Sequence, residues 1–298
     1  MSVSSSIFIT VAYADVFDYP LLAEEVRRRM VGTSLRHIPP YIPGVIRVSY
    51  AGEMFFALAG RSRIVATRIR RRVESTPKWN TVRAVAQVFR WIPTVCLVGV
   101  TGGLSVDNAR KNDDIDLFFV TKRGTLWSTR LLVTVVADLL RLRRRPNETV
   151  VANKICLNMF VSEDALTLPP EEQDLFAAHE VVQMVPLWDR GGAYRKFLKA
   201  NAWVTYFLPN AWRERYQGVR ITYYGSVIHN TITQILRFLE PLARIFQLWY
   251  MQKHRTTEII SRGMLRFHPK DARIWVKKKF AKRLQKLDIP LDNVFYHR

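Results

Sequence analysis

The sequence predicts an α+β protein in which a small mixed sheet lies between a winged-helix-like segment and a helical region. Apolar runs at residues 94–100 and 114–121 are typical of buried strands, and a long apolar helical run follows at 125–142. A third strand-like run occupies residues 154–161. From residue 170 onward the apolar periodicity is mainly helical. Strands in the middle with helices on both sides favour an α+β or mixed α/β core.

The N-terminal segment has the element order of a winged helix. Residues 7–30 predict a helix, a turn and a second helix, whose first turn carries Glu24 and Glu25 where the helix dipole favours acids. Residues 45–58 predict two strands joined by a tight Ala-Gly turn. Helix, helix and hairpin is the winged-helix order. Three prolines in residues 32–44, however, limit a recognition helix to roughly one or two turns. The winged-helix order of elements therefore does not by itself indicate that this segment recognises a DNA groove.

Two more helices are predicted before the first central strand. The first spans residues 62–75 and carries five arginines beside an apolar stripe. The second spans residues 81–91 and ends at Pro93. Two interpretations of the arginines remain open: a solvated face on a linking helix, or a face that contacts phosphate groups.

Composition predicts a globular, cytoplasmic protein. The hydrophobic fraction is 48%, which is too high for a disordered chain. No apolar run reaches the ~18 residues of a membrane-spanning helix, and the N-terminus lacks the pattern of a secretory signal. Cys96 and Cys156 both lie in apolar runs, which favours buried, reduced thiols over a disulfide.

The positive charge of the chain lies in its flanks. The formal net charge is +21. Lys and Arg outnumber Asp and Glu by 8 in residues 1–95, by 1 in residues 96–205 and by 12 in residues 206–298. A field of this size attracts polyanions such as nucleic acid, nucleotides or an anionic membrane surface. The alternative is that the charge serves only solubility.

The balanced middle of the chain contains a motif with the chemistry of a phosphate and metal site. Asp114 and Asp116 stand at the start of a predicted strand, so their side chains project to the same side. Two carboxylates held this close repel each other unless a cation lies between them, and Mg²⁺ favours such oxygen ligands. Gly102 and Gly103 follow a predicted strand, and their backbone N–H groups can cradle phosphate.

At these residues the sequence resembles the polymerase-beta-like nucleotidyltransferase superfamily. Its signature is a hydrophobic residue, Gly-Gly or Gly-Ser, roughly ten residues, and an Asp-x-Asp or Asp-x-Glu between hydrophobic residues. Here residues 100–103 read Val-Thr-Gly-Gly, and residues 114–117 read Asp-Ile-Asp-Leu after ten intervening residues. The segments FDYP, KICLNMFV and HEVVQM are similar to those of uncharacterised bacterial nucleotidyltransferase-domain proteins.

The resemblance implies a small mixed sheet that holds two Mg²⁺ ions and a nucleoside triphosphate. Asp114 and Asp116 would be catalytic and would ligate the metal, and Gly102 and Gly103 would bind the phosphates. An acceptor hydroxyl would attack the α-phosphorus and release pyrophosphate. The basic flanks would hold nucleic acid or another anionic acceptor. Three domains are expected: a winged-helix-like domain (1–75), a nucleotidyltransferase core (76–168) and a basic helical domain (169–298).

The sequence departs from the superfamily pattern in two places. Many members have Ser where Gly103 stands, so Thr101 and Ser105 are the candidates that would supply the missing hydroxyl, and Ser105 is the candidate for contact with the phosphates. The superfamily also supplies a third carboxylate from a later strand. Alternation in residues 154–161 places Lys154, Cys156, Asn158 and Phe160 on one face, which offers an amide and no acid. Asn158 is therefore the candidate third metal ligand, and Lys154 a candidate for phosphate.

Three functions remain open from the sequence. The first is a magnesium-dependent nucleotidyltransferase. The second is a degenerate nucleotidyltransferase fold that binds nucleotide or nucleic acid without turnover. The third is a membrane-peripheral protein whose C-terminal basic residues, among them Lys277 to Lys279, contact anionic lipid. No membrane span is expected, and the sequence indicates no protein partner.

Overall fold

Two β-sheets and the helices around them make up the computed structural model, which describes residues 2–34, 37–145, 148–219, 227–252, 259–261, 263–267 and 272–296. The helices in these ranges are α1 (Val3–Asp15), α2 (Ala23–Arg28), α3 (Ile64–Phe89), α4 (Leu126–Leu139), α5 (Leu175–Gln183), α6 (Ala193–Ala200), α7 (Val204–Phe207), α8 (Pro209–Gly218), α9 (Val227–Met251), α10 (Ala272–Leu284) and α11 (Asp292–Phe295). The strands are β1 (Leu21–Leu22), β2 (Val45–Tyr50), β3 (Glu53–Leu58), β4 (Val95–Val100), β5 (Ile115–Thr121), β6 (Ile155–Ser162), β7 (Val185–Asp189), β8 (Ile259–Ile260) and β9 (Met264–Arg266). Mixed α and β content agrees with the predicted α+β class.

The N-terminal segment contains the predicted pair of helices and the predicted hairpin. β2 and β3 pair antiparallel through Ala51 and Gly52, whose φ angles of 49° and 80° are those of a tight hairpin turn. β1 pairs with the other edge of β3. Among the described residues between Met30 and Gly44 there is no helix, in keeping with the three prolines there. The winged-helix assignment stays a prediction.

The central sheet has six described strands in the order β7-β4-β5-β6-β9-β8. β5 and β6 are parallel, and α4 connects them; the other neighbours are antiparallel. Strands β4, β5 and β6 and helix α4 confirm the α/β rhythm predicted for the middle of the chain.

The region after residue 170 is mainly helical in its described residues, as predicted, but it also contains strands. α5 ends at Gln183, and β7 follows at once because Pro186 disfavours the helical conformation at the residue before it. β7 pairs with β4, and β9 pairs with β6. The sheet thus includes strands from both sides of the boundary predicted at residues 168 and 169. The domain boundaries themselves stay a prediction.

The two helices predicted at residues 62–75 and 81–91 are one helix. α3 is continuous across Pro77. Two of its arginines are buried, so its basic face is not simply solvated. Arg68 pairs with Glu25 at 2.6 Å, and Arg71 donates to Asn108 Oδ1 at 3.1 Å. These arginines connect α3 to the N-terminal segment and to the loop after β4.

Each face of the central sheet is covered by its own apolar core. On one face, residues of α3, α4 and α9 pack over Leu117, Phe119 and Phe160. On the other face, residues of α1, α5, α6 and α10 pack over Phe118 and Val120. In the part of the chain that the structure describes, no helix combines the length and the apolar character needed to cross a bilayer.

Candidate functional site

Two carboxylates and a thiol converge where β5 begins. Asp116 lies opposite Cys156 in the parallel pairing of β5 and β6. Ligand atoms of Asp114, Asp116 and Cys156 all lie within 4.8 Å of one another, and this group can hold a metal ion. The two aspartates therefore share one side of the strand, as its alternation predicts.

Asp114 also has a cationic partner. Its Oδ2 lies 2.7 Å from Nη1 of Arg144, which stands in the connection between α4 and β6. Both side chains are partly buried, so solvent screens this pair less than a surface pair. Arg144 neutralises part of the charge that Asp114 would offer to a metal ion. No sequence pattern indicates this pair, because Arg144 lies thirty residues from Asp114 in a basic loop.

Lys78 holds the loop that carries the aspartates. This lysine of α3 is fully buried. Its ammonium donates to the backbone oxygens of Lys111 and Asp113 and to Oδ1 of Asn153. Burial lowers its pKa, against the opposing charge of Asp113. Lys78 thus fixes the entry to β5 from behind the site, a role with no local sequence signal.

The glycine pair brings the backbone against Asp116. Gly102 has a φ of +66°, and a β-carbon there would stand 2.9 Å from Oδ2 of Asp116. A β-carbon on Gly103 would meet the backbone oxygen of Asn108 at 3.3 Å. The hydroxyl of Ser105 donates to the backbone oxygen of Gly102 at 2.7 Å. Ser105 therefore stabilises the turn that contains Gly102. Its predicted contact with the phosphates stays a prediction.

A β-bulge alters the predicted faces of β6. The pairing with β5 shifts between Asp116 and Phe118, so that Phe118 lies opposite Met159. Phe160 consequently packs in the core on the other side of the sheet, beside Phe119 at a ring distance of 4.6 Å. The prediction that Phe160 shares a face with Cys156 and Asn158 was wrong, because strict alternation fails at a bulge.

Asn158 lines the same cavity as Asp116. Its Oδ1 is buried and has no hydrogen-bond partner among the described residues, and the same holds for Oγ1 of Thr101. Buried polar atoms are normally paired. Two such oxygens in one cavity are free to accept a ligand's hydrogen bond or to contact a cation.

Lys154 lies away from this cavity. Its Nζ donates to the backbone oxygen of Arg141 at 3.1 Å and stands 3.7 Å from Glu148. Both contacts belong to the connection before β6. The structure therefore groups Lys154 with that loop rather than with Asp116, and its predicted contact with phosphate receives no support from this arrangement.

A cavity of about 510 Å³ opens beside Asp116 and the glycine pair. Its walls combine a large apolar surface with cationic groups. Aromatic residues on the walls include Tyr13, Phe17, Tyr19 and Trp275, and the arginines are Arg29, Arg266 and Arg273. Each arginine has an acidic partner: Glu25 at 3.7 Å, Glu172, and Asp174 at 2.9 Å, respectively. The size and lining suit a ligand with an aromatic part and anionic groups.

Glu180 is the carboxylate that the sequence analysis missed. It lines the cavity from α5. Burial, and then the charge of Asp116, raise its pKa to about 7, although the N–H of Gly102 and the charge of Arg266 act in the opposite direction. A carboxyl group with this pKa exchanges a proton near neutral pH. The only sequence signal was its place beside His179 in an apolar helical run.

His179 has a structural role in the wall of the cavity. Its ring stacks on Tyr13 at 4.0 Å with an interplanar angle of 7°. Burial, with Arg29 adding to the effect, lowers its pKa well below the ordinary value, so the imidazole is neutral at pH 7. His179 packs the wall of the cavity rather than offering a charge.

Cys156 is a protonated thiol in the absence of a metal ion. Burial, followed by the charges of Asp116 and Asp114, raises its pKa well above the ordinary value. The thiol also donates a hydrogen bond to the Asp116 carboxylate. Cys156 therefore stabilises one of the two aspartates.

No protein-family model matches this chain, and neither a curated protein nor a solved structure matches it. The resemblance to polymerase-beta-like nucleotidyltransferases therefore rests on residues 100–103 and 114–117 and on their spacing.

Proposed function

We propose that this protein is a nucleotidyltransferase that moves a nucleoside monophosphate from a triphosphate to an acceptor. The observation that carries the proposal is the position of Gly102 so close to Asp116, at the wall of a 510 Å³ cavity, that a β-carbon on it would stand 2.9 Å from Oδ2 of Asp116. The proposal includes the finer fold assignment, a nucleotidyltransferase core preceded by a winged-helix-like segment, and a cytoplasmic location. The acceptor is nucleic acid or another anionic molecule, held by the basic flanks.

The donors of the site fit a hard cation such as Mg²⁺. Asp114 and Asp116 supply carboxylate oxygens, and Asn158 supplies a buried amide oxygen without a hydrogen-bond partner among the described residues. Cys156 is a poor ligand for Mg²⁺ because its raised pKa keeps it protonated. These three oxygen donors would hold one or two ions. When bound, the ions neutralise phosphate charge and stabilise the attacking and leaving oxygens.

The residues around the aspartates orient the substrate. Gly102 lets the loop backbone approach the Asp116 carboxylate closely, so phosphates bound at the aspartates would lie next to the N–H groups of this loop. Arg266 and Arg273 line the cavity and would attract the outer phosphates, and an exposed aromatic side chain such as Trp275 would pack on the base. Arg29 adds a third positive charge on the wall.

Glu180 is the general base of the proposed reaction. The acceptor hydroxyl forms the new bond to the α-phosphorus, the bond from that phosphorus to pyrophosphate breaks, and the hydroxyl proton passes to the Glu180 carboxylate. Burial is the main cause of its raised pKa, and a carboxyl group with a raised pKa accepts a proton more readily. Glu180 thus takes the place of the third acid that the resemblance implied for strand 154–161.

Two features of the site favour a second candidate, a protein that binds nucleotide or nucleic acid without turnover. Arg144 already pairs with Asp114 at 2.7 Å. The third member of the metal-ligating group is the thiol of Cys156 and not a third carboxylate. Both features weaken metal binding, so the substrate's own phosphates would have to complete the site.

Transfer of label distinguishes the two candidates. The chain is incubated with each α-³²P-labelled nucleoside triphosphate, Mg²⁺ and pools of RNA, DNA or small anionic acceptors. The enzyme transfers label to one pool, and Asp116→Asn loses at least about 100-fold of this activity because it removes one of the carboxylates that would hold the cation. Asp288→Asn is the matched control, since Asp288 is exposed and distant in sequence from the site.

Binding of the triphosphate is measured in parallel by calorimetry. Saturable binding without transfer to any pool supports the binding protein. Absence of both transfer and binding refutes both candidates. Transfer that survives in Asp116→Asn shows that the reaction occurs elsewhere on the chain.

A further inference from the structure

The outer surface of α9 is apolar although it faces solvent. Phe238 is 82% exposed, Leu242 63%, Ile245 65% and Trp249 62%. These residues recur every three or four positions, so they form one continuous stripe along the helix. Further exposed apolar side chains on the same stripe are Ile235, Leu239, Phe246 and Tyr250. A patch of this extent on a folded surface marks an interaction site.

The stripe belongs to a well-anchored helix. The opposite side of α9 packs toward the sheet through Ala243 and Met251. Glu240 accepts hydrogen bonds from the backbone N–H groups of Trp127 and Ser128 at the start of α4, at 2.8 and 2.9 Å. Gln247 donates to the backbone oxygen of Trp127 at 2.7 Å. α9 therefore cannot bury its stripe by rotating without breaking these bonds.

α4 extends the same apolar character. Val135, Leu139 and Leu140 are exposed on it, Leu139 by 78%. α4 and α9 lie side by side over one face of the sheet and share its core. We call the exposed apolar residues of both helices the α4–α9 surface.

Charge around the α4–α9 surface favours an anionic partner. Described acids of the two helices are engaged: Glu240 caps α4, and Asp138 pairs with Arg143 at 2.9 Å. Arg237 and Arg244 are exposed on α9. The whole chain has a net charge of +21, so two copies that met through this surface would repel each other.

We propose that the α4–α9 surface binds an anionic lipid surface, with α9 lying in the plane of the membrane. Phe238, Leu242 and Trp249 enter the boundary between headgroups and acyl chains, and the arginines reach lipid phosphates. Aromatic residues are the side chains that this boundary favours. The cavity with Asp116 is lined by residues of the core on the other face of the sheet. It therefore stays open to solvent while the protein is bound, and the proposal does not depend on the proposed function.

Vesicle flotation of the full chain tests the proposal. Vesicles contain phosphatidylcholine alone or with about a quarter of phosphatidylglycerol. The protein floats with the anionic vesicles, and the triple variant Phe238→Ser, Leu242→Ser, Trp249→Ser weakens partitioning at least about tenfold, because it removes three apolar side chains that the membrane boundary would bury. The high exposure of these residues lets the variant fold, which circular dichroism checks.

The matched control replaces exposed apolar residues outside the α4–α9 surface. Tyr41 is 76% exposed and Ile274 is 72% exposed. The variant Tyr41→Ser, Ile274→Ser floats like the wild type if the proposal is correct. Equal loss in both variants overturns the proposal, as does undiminished flotation of the triple variant. A wild type that does not float, and whose sedimentation shows a dimer that the triple variant dissociates, assigns the surface to a second copy and also overturns it.

Discussion

A β-carbon on Gly102 would stand 2.9 Å from Oδ2 of Asp116, closer than two such atoms can approach without one of them moving. Gly102 also has a φ of +66°, which side chains rarely adopt. The backbone of the loop and the carboxylate of the strand therefore share one small volume. Glycine is therefore required at this position for two reasons: a side chain would strain the turn, and it would displace the Asp116 carboxylate.

A comparison of Gly102→Ala with Gly191→Ala should separate the backbone strain that a β-carbon causes from its effect on Asp116. Both glycines have a φ of +66°, but a β-carbon on Gly191 would have no heavy atom within 4 Å. Each substitution should lower the free energy of unfolding by roughly 1–2 kcal/mol through backbone strain. Only Gly102→Ala should displace Asp116 and weaken Mn²⁺ binding, by about tenfold or more in calorimetry. Equal metal affinity in the two variants would contradict the contact.

Arg144→Met should strengthen binding of a divalent cation. The Arg144 guanidinium lies 2.7 Å from Asp114, and its removal leaves two uncompensated carboxylates. Because the pair is partly exposed, we expect about 1 kcal/mol, or roughly a fivefold lower dissociation constant for Mn²⁺. Arg145→Met is the control, since Arg145 lies 3.6 Å from Asp138 instead. A loss of affinity in Arg144→Met would mean that the arginine positions Asp114 for the metal.

Glu180 should make the protein less stable as the pH rises from about 4.5 to 7. Its pKa is raised from 4.5 to about 7 by burial and by Asp116. Below this window the group is neutral in both states. Within it the unfolded chain releases a proton that the folded chain retains, so the free energy of unfolding falls, by about 3 kcal/mol in total above pH 7.

Urea unfolding of Glu180→Gln without divalent cations checks this pH dependence. The stability of the variant relative to the wild type should increase by up to about 3 kcal/mol between pH 4.5 and 8. Glu171→Gln, at an exposed position, measures the effect of removing a surface carboxylate. A stability difference between Glu180→Gln and wild type that does not change with pH would show that the pKa of Glu180 is the same in the folded and the unfolded protein.

Both cysteines should resist thiol reagents in the folded protein. Burial, with a contribution from Glu163, raises the pKa of Cys96 to about 12, and the pKa of Cys156 is also raised. Since the thiolate reacts, labelling of Cys96 at pH 8 should be on the order of 10³-fold slower than that of a free thiol, and labelling of Cys156 should also be slower. Ellman's reagent should detect two thiols only after unfolding in urea. Fast labelling that is lost in Cys156→Ser would show that the site opens in the folded state.

Local patterns predicted the parts of the fold that depend on near neighbours. The period-two alternation of residues 114–121 places Asp114 and Asp116 on one side, and the structure confirms this. Apolar runs located β4, β5 and β6, and an Ala-Gly pair located the hairpin between β2 and β3. Periodicity misjudged α3 at Pro77, because packing on both sides of the proline holds the helix together.

Long-range contacts supplied the rest of the site. Lys78, Arg144 and Glu180 reach the aspartates from three different elements. None of them stands at a spacing from Asp114 that a motif could record. The bulge that moves Phe160 to the other face depends on the pairing of β5 with β6, which no single strand determines.

The sequence alone determined where the backbone can approach a carboxylate pair, since glycine spacing and strand alternation are properties of neighbouring residues. Only the tertiary structure decided which charges surround that pair. Burial and proximity set the raised pKa of Glu180 and the pairing of Asp114 with Arg144. Likewise, the exposed stripe of α9 could be recognised only after its opposite side was seen to pack on the sheet, because amphipathic periodicity does not tell which apolar face is covered.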